Sequence, residues 1–310
     1  MKKQTIILFL IFISIIVFLF LIQRYIKNTY YEGFLDTKHE KTICLVWRNK
    51  IHNDTHEGFG DKLRGALFLY QYCKKKNINL KIDANHDVCG DFLKNVTLTN
   101  ENITKDTPLI SNNNIFKNEE MYKTLDNELA NKNIIYVYCN SVPNDLDMDD
   151  KEFAKFICEP TQELQEELNN KIKNLPKKYG IQHFRFDDNV FINDVDSNDK
   201  LFKKYFELLK KNYKPTDVLF TNSNNFKKYA IKQLGIQTID CNGKICNVSH
   251  IGYSNDQESV KNSFIEFFII QRSSYIKTHS CYWWASNFVK WPADIYDIPL
   301  ENTYIDVKTL

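Results

Sequence analysis

The ten residues Tyr179–Asp188, which read YGIQHFRFDD, decide the fold that we predict for this chain. The stretch Ile181–Phe186 is typical of a buried strand that ends in charge, and the two aspartates after it indicate a turn. Arg185 lies at the carboxyl end of this strand, where open α/β sheets bind their ligands. Its planar, permanently charged guanidinium group suits a diphosphate. An ion pair between Arg185 and Asp187 or Asp188 is the alternative interpretation.

The residues after this strand alternate strands with helices, which predicts a parallel, doubly wound sheet. The predicted strands are Val218–Thr221, Gln237–Asp240 and Tyr275–Thr278. The predicted helices are 198–211, Asn225–Leu234, Asp256–Gln271 and Tyr282–Lys290. Pro176 and Gly180 bracket the connection into the first strand, so we place a domain boundary at about residue 176. The second domain is therefore predicted to span 177–310.

The first half of the chain contains a β-α-β unit. Thr42–Trp47 is a continuous apolar run and predicts a buried strand, and a second strand is predicted at Ile78–Ile82. Gly58 and Gly60 mark a loop between them, with Asp61 as the expected N-cap of the intervening helix. Such a loop lets backbone N–H groups approach a phosphate at a helix N-terminus. An ordinary tight turn is the alternative.

The composition fits a globular protein with one large or two medium domains. The chain has 310 residues, of which 43% are hydrophobic and 14% aromatic. Its 41 basic and 39 acidic residues nearly balance, which leaves no electrostatic footprint for nucleic acid.

The N-terminus carries a long apolar segment. Ile6–Ile22 is an apolar run of 17 residues with one serine, which as a helix spans roughly 25 Å. We expect a retained transmembrane signal anchor within residues 1–24 and a stem over 25–41. A cleaved signal peptide is the alternative, but no small-residue cleavage site follows the run. The flanking charges are nearly tied and leave the orientation open.

Two weak signals favour a lumenal catalytic part in a single-pass protein of the endoplasmic reticulum or Golgi type. The chain has eight cysteines, and glycosylation sequons begin at Asn53, Asn95, Asn102 and Asn247. Cys241 and Cys246 flank a turn-like NGKI loop and either form a disulfide or remain free thiols. The cysteines lack the paired spacing of a structural zinc site.

Several short motifs in the same order give the chain a resemblance to a known group. The residues His183-Phe184-Arg185-Phe186-Asp187-Asp188 resemble the strand that ends in H-x-R in the fucosyltransferase superfamily. This superfamily includes α1,2- and α1,6-fucosyltransferases, nodulation fucosyltransferases and protein O-fucosyltransferases. Further likeness comes from GFGDKLRG at 58–65, LFTNSNNF at Leu219–Phe226 and THSCYWWASNF at 278–288. The resemblance covers most of residues 42–291.

The resemblance implies an α/β fold of the GT-B type, in which two Rossmann-like domains face a cleft. The acceptor-side domain would span 42–176, and the nucleotide-sugar domain 177–310. It also implies a metal-independent glycosyltransferase without a cofactor, which transfers fucose from GDP-fucose to a glycan or protein hydroxyl with inversion. Arg185 would stabilise the leaving diphosphate, and Glu57, or else Asp61, would be the base. The donor-binding residues would be Gly58, Phe59, Gly60, His183, Asn222, Asn224, Ser280 and Cys281.

The sequence departs from the family at several of these positions. Phe186 stands where many members have a second arginine, Asp187 replaces a glycine, and Asn222-Ser223-Asn224 replaces an Asp-Asp pair. A non-catalytic protein that keeps the fold and a transferase for another nucleotide sugar are the alternatives.

Three further patterns have more ordinary interpretations. Asp147–Asp150 and Asp194–Asp196 resemble D-x-D metal sites, but we interpret them as helix caps. His183 is expected to orient Arg185 or to pack under the sheet. The aromatic run Tyr282-Trp283-Trp284 is expected to pack in the core rather than to bind a sugar.

Overall fold

A computed structural model describes residues 12–15, 18, 40–48, 57–96, 103–104, 106–111, 118–241, 243–252, 254 and 256–310. The anchor predicted at Ile6–Ile22 lies largely outside these residues. Among the residues that are described, no helix is long and apolar enough to cross a membrane.

The strands form two parallel sheets and a small hairpin. They are β1 (Thr42–Val46), β2 (Asn79–Asp83), β3 (Ile110–Ser111), β4 (Ile134–Tyr138), β5 (Ile181–Arg185), β6 (Val218–Thr221), β7 (Asp240–Cys241), β8 (Lys244–Ile245), β9 (Ile276–Ser280) and β10 (Leu300–Tyr304). The first sheet has the order β2-β1-β4-β3 and the second β10-β9-β5-β6, with every neighbouring pair parallel. The α/β class predicted from the sequence is confirmed.

Helices connect the strands, as parallel pairing requires. They are α1 (Phe59–Lys76), α2 (Cys89–Phe92), α3 (Asn118–Asn131), α4 (Met148–Ile157), α5 (Gln162–Ile172), α6 (Lys200–Asn212), α7 (Asn224–Leu234), α8 (Gln257–Ile270) and α9 (Asn287–Tyr296). Side-chain caps fix where several of them begin, because each cap satisfies an N–H group that lacks an intrahelical partner. The N-cap residues with such bonds are Asp147, Thr161, Asp199, Ser223 and Asp256.

Two predicted elements differ from the structure, and one observed strand has no counterpart in the prediction. The predicted strand Gln237–Asp240 is wrong, because Gln237 makes only an isolated bridge to Val218, and Asp240 belongs to the hairpin β7–β8. The predicted helix Tyr282–Lys290 is also wrong, since α9 begins at Asn287. Strand β10 was not predicted, because it lies mostly exposed and carries no apolar pattern.

One buried helix joins the two halves of the molecule. Every residue of α8 from Phe264 to Ile270 is buried, and its aromatic rings meet the start of α1. The ring of Phe59 lies 5.2 Å from that of Phe264 and 5.0 Å from that of Phe267. A single hydrophobic cluster therefore contains residues of both halves. The domain boundary at about residue 176 stays a prediction.

The structure describes one cysteine pair and two of the sequon asparagines that the sequence analysis singled out. Cys241 and Cys246 form a disulfide across the β7–β8 hairpin. Asn95 is 8% exposed, and its side-chain nitrogen donates to Phe156 O and Glu159 Oε2, both at 2.9 Å. That amide is thus not presented to a glycosylating enzyme in the folded protein, whereas Asn247 is exposed.

Candidate active site

The carboxyl ends of strands from both sheets open into one cleft of about 1380 Å³. From the second sheet, the ends of β5 and β6 line it, together with the loop Val248–Ile251. From the first half come the start of α1 and the loop Val142–Leu146, which follows β4. This is the place where parallel α/β sheets bind ligands.

Arg185 lies in this cleft, as the sequence predicts. Alternation along β5 directs Arg185 and His183 to the cleft, whereas Phe184 and Phe186 are buried on the opposite face. Phe186 packs against the rings of other aromatic residues, so the position next to Arg185 does not point at a ligand.

The guanidinium group of Arg185 is held by three neighbours. It lies 5.7 Å from the ring centroid of Phe191 and 6.0 Å from that of Tyr282, within the range of cation–π attraction. Its Nη2 donates to Asp188 Oδ1. The ion pair that the sequence offered as an alternative is therefore present, and it involves Asp188 rather than Asp187.

His183 is a buried, neutral residue that is bonded to a neighbouring strand. Its Nδ1 lies 2.8 Å from Thr278 Oγ1 on the neighbouring strand β9. Burial and the nearby charge of Arg185 lower the pKa of His183 to about 3. A histidine with this pKa is too weak a base to take a proton from an acceptor hydroxyl at neutral pH.

The start of α1 meets the start of α9 across the cleft. The helix begins at Phe59 after the N-cap Gly58, so the prediction that Asp61 is the cap is wrong. Gly60 is required by packing, because a Cβ atom there would lie 2.7 Å from Asn287 Cβ. Asn287 Nδ2 also donates to Asp61 Oδ1 at 2.9 Å. Gly60 thus allows the two halves to approach each other at the cleft, and Gly58 and Gly60 both line it.

Glu57 directly precedes Gly58, the N-cap of α1. The described residues that line the cleft include Gly58 and Asp61 but not Glu57. Asn140 Nδ2 donates to Glu57 Oε1, while Glu57 Oε2 is buried and has no hydrogen-bond partner in the part of the chain that the structure describes. Burial raises the pKa of Glu57, and the negative charge of Asp61 adds to this effect. Hydrogen bonds from Tyr138 and Asn140 lower the pKa and so oppose the shift.

Several buried polar atoms of the first half have no hydrogen-bond partner among the described residues. They are Trp47 Nε1, Arg48 Nε and Nη1, Glu57 Oε2, Asn118 Oδ1 and Asn140 Oδ1. Glu57 Oε2 and Asn140 Oδ1 belong to two side chains that are hydrogen-bonded to each other.

The two predicted asparagines form hydrogen bonds to the backbone. Asn222 lines the cleft, but its amide accepts from Phe186 N at 2.8 Å and donates to Phe186 O at 3.1 Å. Asn224 binds Val248 in the same manner, with its Oδ1 3.0 Å from Val248 N and its Nδ2 3.2 Å from Val248 O. Asn224 thereby fixes the loop Val248–Ile251, which lines the cleft and carried no signal in the sequence.

Ser280 and Cys281 support the turn that precedes α9. Ser280 is fully buried, and its Oγ accepts from Tyr282 N at 3.0 Å. Cys281 N donates to Arg185 O at 3.3 Å. Neither residue is among the described residues that line the cleft. The helix N-terminus that does line it consists of Ser286, Asn287 and Phe288, and the Ser286 side chain makes no capping bond.

The aspartate motifs are helix caps, as expected. Asp147 and Asp150 form a capping box at α4. Asp194 accepts from Ser223 Oγ and, at 2.7 Å, from Asn225 N at the start of α7. Within the described part of the chain, no group of three or more His, Cys, Asp and Glu side chains is arranged to hold a metal ion.

The fold is that of known fucosyltransferases. The structure of NodZ α-1,6-fucosyltransferase soaked with GDP-fucose matches 87% of this chain and 96% of its own, with a TM-score of 0.52 and 11% identity. The structure of NodZ α-1,6-fucosyltransferase co-crystallised with GDP matches 82% of this chain and 92% of its own, with a TM-score of 0.50 and 12% identity. Apo POFUT1 matches 87% of this chain and 99% of its own, with a TM-score of 0.48 and 10% identity. No protein-family model and no curated protein sequence matches the chain.

The predicted fucosyltransferase-like, GT-B type of fold is thereby confirmed for most of the chain. At 11% identity this likeness defines the architecture alone.

Proposed function

We propose that this protein is an inverting glycosyltransferase that transfers fucose from GDP-fucose to a hydroxyl group. The observation that carries the proposal is the position of Arg185, which lies at the carboxyl end of β5 in a cleft between two parallel sheets. The likeness to NodZ, whose crystals were soaked with GDP-fucose, supports the choice of donor.

In this reaction the acceptor oxygen bonds to the anomeric carbon while the bond from that carbon to the diphosphate oxygen breaks. The electron pair of the broken bond leaves with GDP, so negative charge grows on the diphosphate. Arg185 and the N-terminus of α9 are the cleft groups suited to stabilise that charge. The acceptor proton passes to a carboxylate.

Glu57 is the base that we propose. Burial raises its pKa, which makes the carboxylate a stronger base, and among the described residues its Oε2 has no hydrogen-bond partner. Asp61, which faces the cleft directly, is the competing candidate, but its Oδ1 already accepts from Asn287 and pairs with Arg64 at 3.3 Å.

Donor profiling tests the proposal directly. We expect residues 30–310 to bind GDP, to hydrolyse GDP-fucose slowly without an acceptor and to prefer it over other nucleotide sugars. Preference for another nucleotide sugar would correct the donor. GDP binding without any turnover would instead identify a non-catalytic protein that keeps the fold.

Transfer is expected to be independent of metal ions, because an arginine and backbone N–H groups neutralise the diphosphate in the proposed site. Activity should remain within about twofold of its starting value after EDTA treatment and gel filtration. Loss of turnover that manganese restores would contradict this expectation.

Replacing Asp188 with asparagine is expected to tighten donor binding by about three- to tenfold. Asp188 forms an ion pair with the guanidinium group of Arg185 in the ligand-free protein, and its negative charge would repel a diphosphate bound there. The measurement is the GDP dissociation constant at physiological salt. Asp187→Asn is the matched control, because Asp187 accepts from Asn189 N and does not pair with Arg185. Equal effects of both variants would mean that general charge, rather than release of Arg185, sets the affinity.

We also propose that Ile6–Ile22 anchors the protein in a membrane, with the catalytic part on the lumenal side. The apolar run itself and the Cys241–Cys246 disulfide support this proposal. A tagged full-length protein should resist carbonate extraction and keep its N-terminus. A mature N-terminus near residue 25 would identify a cleaved signal peptide instead.

A further inference from the structure

Three consecutive aromatic residues form an exposed surface inside the cleft. Tyr282, Trp283 and Trp284, called here the aromatic ledge, all line it. Trp283 is 71% and Trp284 47% exposed. Trp284 stacks on Tyr282 with ring centroids 5.1 Å apart, and Trp283 stands perpendicular to Trp284 at 5.2 Å. The prediction that this run packs in the core is therefore wrong.

The backbone holds the ledge in place. The turn before it is fixed by the bonds from Tyr282 N to Ser280 Oγ and from Cys281 N to Arg185 O. After it, α9 begins at Asn287, which is bonded to Asp61 of the first half. Two exposed indole rings on a fixed turn in a cleft are typical of a ligand site, since apolar surface of this kind is normally buried.

The members of the aromatic ledge differ in how much ring surface is available to a ligand. Tyr282, nearest to the proposed diphosphate site, already has Arg185 at 6.0 Å and Trp284 at 5.1 Å. The indole surface that remains is that of Trp283 and Trp284. After the ledge, the chain reaches Asn287, whose side chain is bonded to Asp61 in the first half of the molecule.

We propose that the aromatic ledge binds a pyranose ring of a glycan acceptor, an inference that rests on the proposed transferase function. A pyranose ring presents an apolar C–H face that a flat indole ring covers, while its hydroxyl groups project from the ring edge. Charged pairs line the same cleft and suit these hydroxyl groups: Lys151 with Asp297 at 2.5 Å, and Lys290 with Asp294.

The test compares Trp283→Ala and the double variant Trp283→Ala/Trp284→Ala with wild type. We expect the KM for glycan acceptors to rise at least about tenfold, as for loss of an aromatic anchor, while slow GDP-fucose hydrolysis and the donor KM change less than twofold. Trp283→Phe should recover part of the loss. Ile134→Ala, which truncates an apolar side chain that is 43% exposed at the start of β4 and outside the cleft lining, should change nothing.

A binding measurement keeps this inference separate from the transferase reaction. Without any donor, an immobilised panel of β-linked hexose and N-acetylhexosamine glycans should retain wild type and lose the double variant. Absence of GDP binding in wild type would overturn the proposed function. The glycan panel would still show whether the aromatic ledge binds a glycan. A donor KM that rises with the acceptor KM would overturn the inference in favour of a nucleobase platform. Unchanged kinetics in the double variant, or transfer to Ser/Thr peptides alone, would also overturn it.

Discussion

Replacing Arg185 with alanine is expected to lower sugar transfer by about 100- to 1,000-fold while the fold stays intact. This corresponds to the roughly 3–4 kcal/mol that one preorganised electrostatic contact supplies in a transition state. The contact strengthens as the bond to GDP breaks, so turnover should fall along with donor affinity rather than affinity alone. The Phe186 side chain is buried on the opposite face of β5, so the adjacent position offers no substitute.

Two matched variants sharpen this experiment. Arg185→Lys should rescue transfer poorly, because a single ammonium group cannot reproduce the planar fork of a guanidinium group. Arg272→Ala removes an exposed arginine outside the cleft and should leave activity unchanged. GDP release and transfer are measured, with circular dichroism as the folding control. A folded Arg185→Ala protein that keeps activity within about threefold of wild type would refute the assignment.

The second large effect is expected from Glu57→Gln. If Glu57 is the general base, its replacement should lower transfer by about 100-fold or more, within the range for positioned acid–base groups. Transfer by wild type should rise with pH through the raised pKa of Glu57, because only the carboxylate can accept the proton. Glu57→Gln should lose this dependence and retain donor binding.

Although Glu57→Gln is expected to lower transfer, we do not expect it to lower the stability of the folded protein at neutral pH. The pKa of Glu57 is raised in the folded protein from its ordinary value of 4.5, so folding favours the protonated carboxyl group. The stability from this preference is present below pH 4.5 and is lost as the pH rises through the raised pKa. Glu57→Gln should therefore be at least as stable as wild type at neutral pH, with an advantage that disappears in acid. Urea unfolding at several pH values measures it.

Asp61→Asn distinguishes the two candidate bases. The charge of Asp61 helps to raise the pKa of Glu57, so its removal should shift the pH dependence of transfer to lower pH. Turnover at the plateau should fall only several-fold, because asparagine can still accept from Asn287. A large loss in Asp61→Asn together with an active Glu57→Gln would transfer the role of base to Asp61.

The sequence by itself determined the α/β class and the position of Arg185. Strand and helix periodicity are local properties, and a residue that ends a parallel strand has its place at the ligand edge before any packing is known. The same logic failed for β10, whose edge position leaves it without an apolar pattern, and for the start of α9.

Only the tertiary structure decided what the other candidate residues do. Gly60 serves a close approach to Asn287, more than 200 positions away, and Asn222 and Asn224 bind the backbone at Phe186 and Val248. Trp283 and Trp284 are large apolar residues of the kind expected in a core, yet the turn after β9 holds them in the cleft. Such roles depend on contacts between residues far apart in the chain, and local sequence patterns carry no information about those contacts.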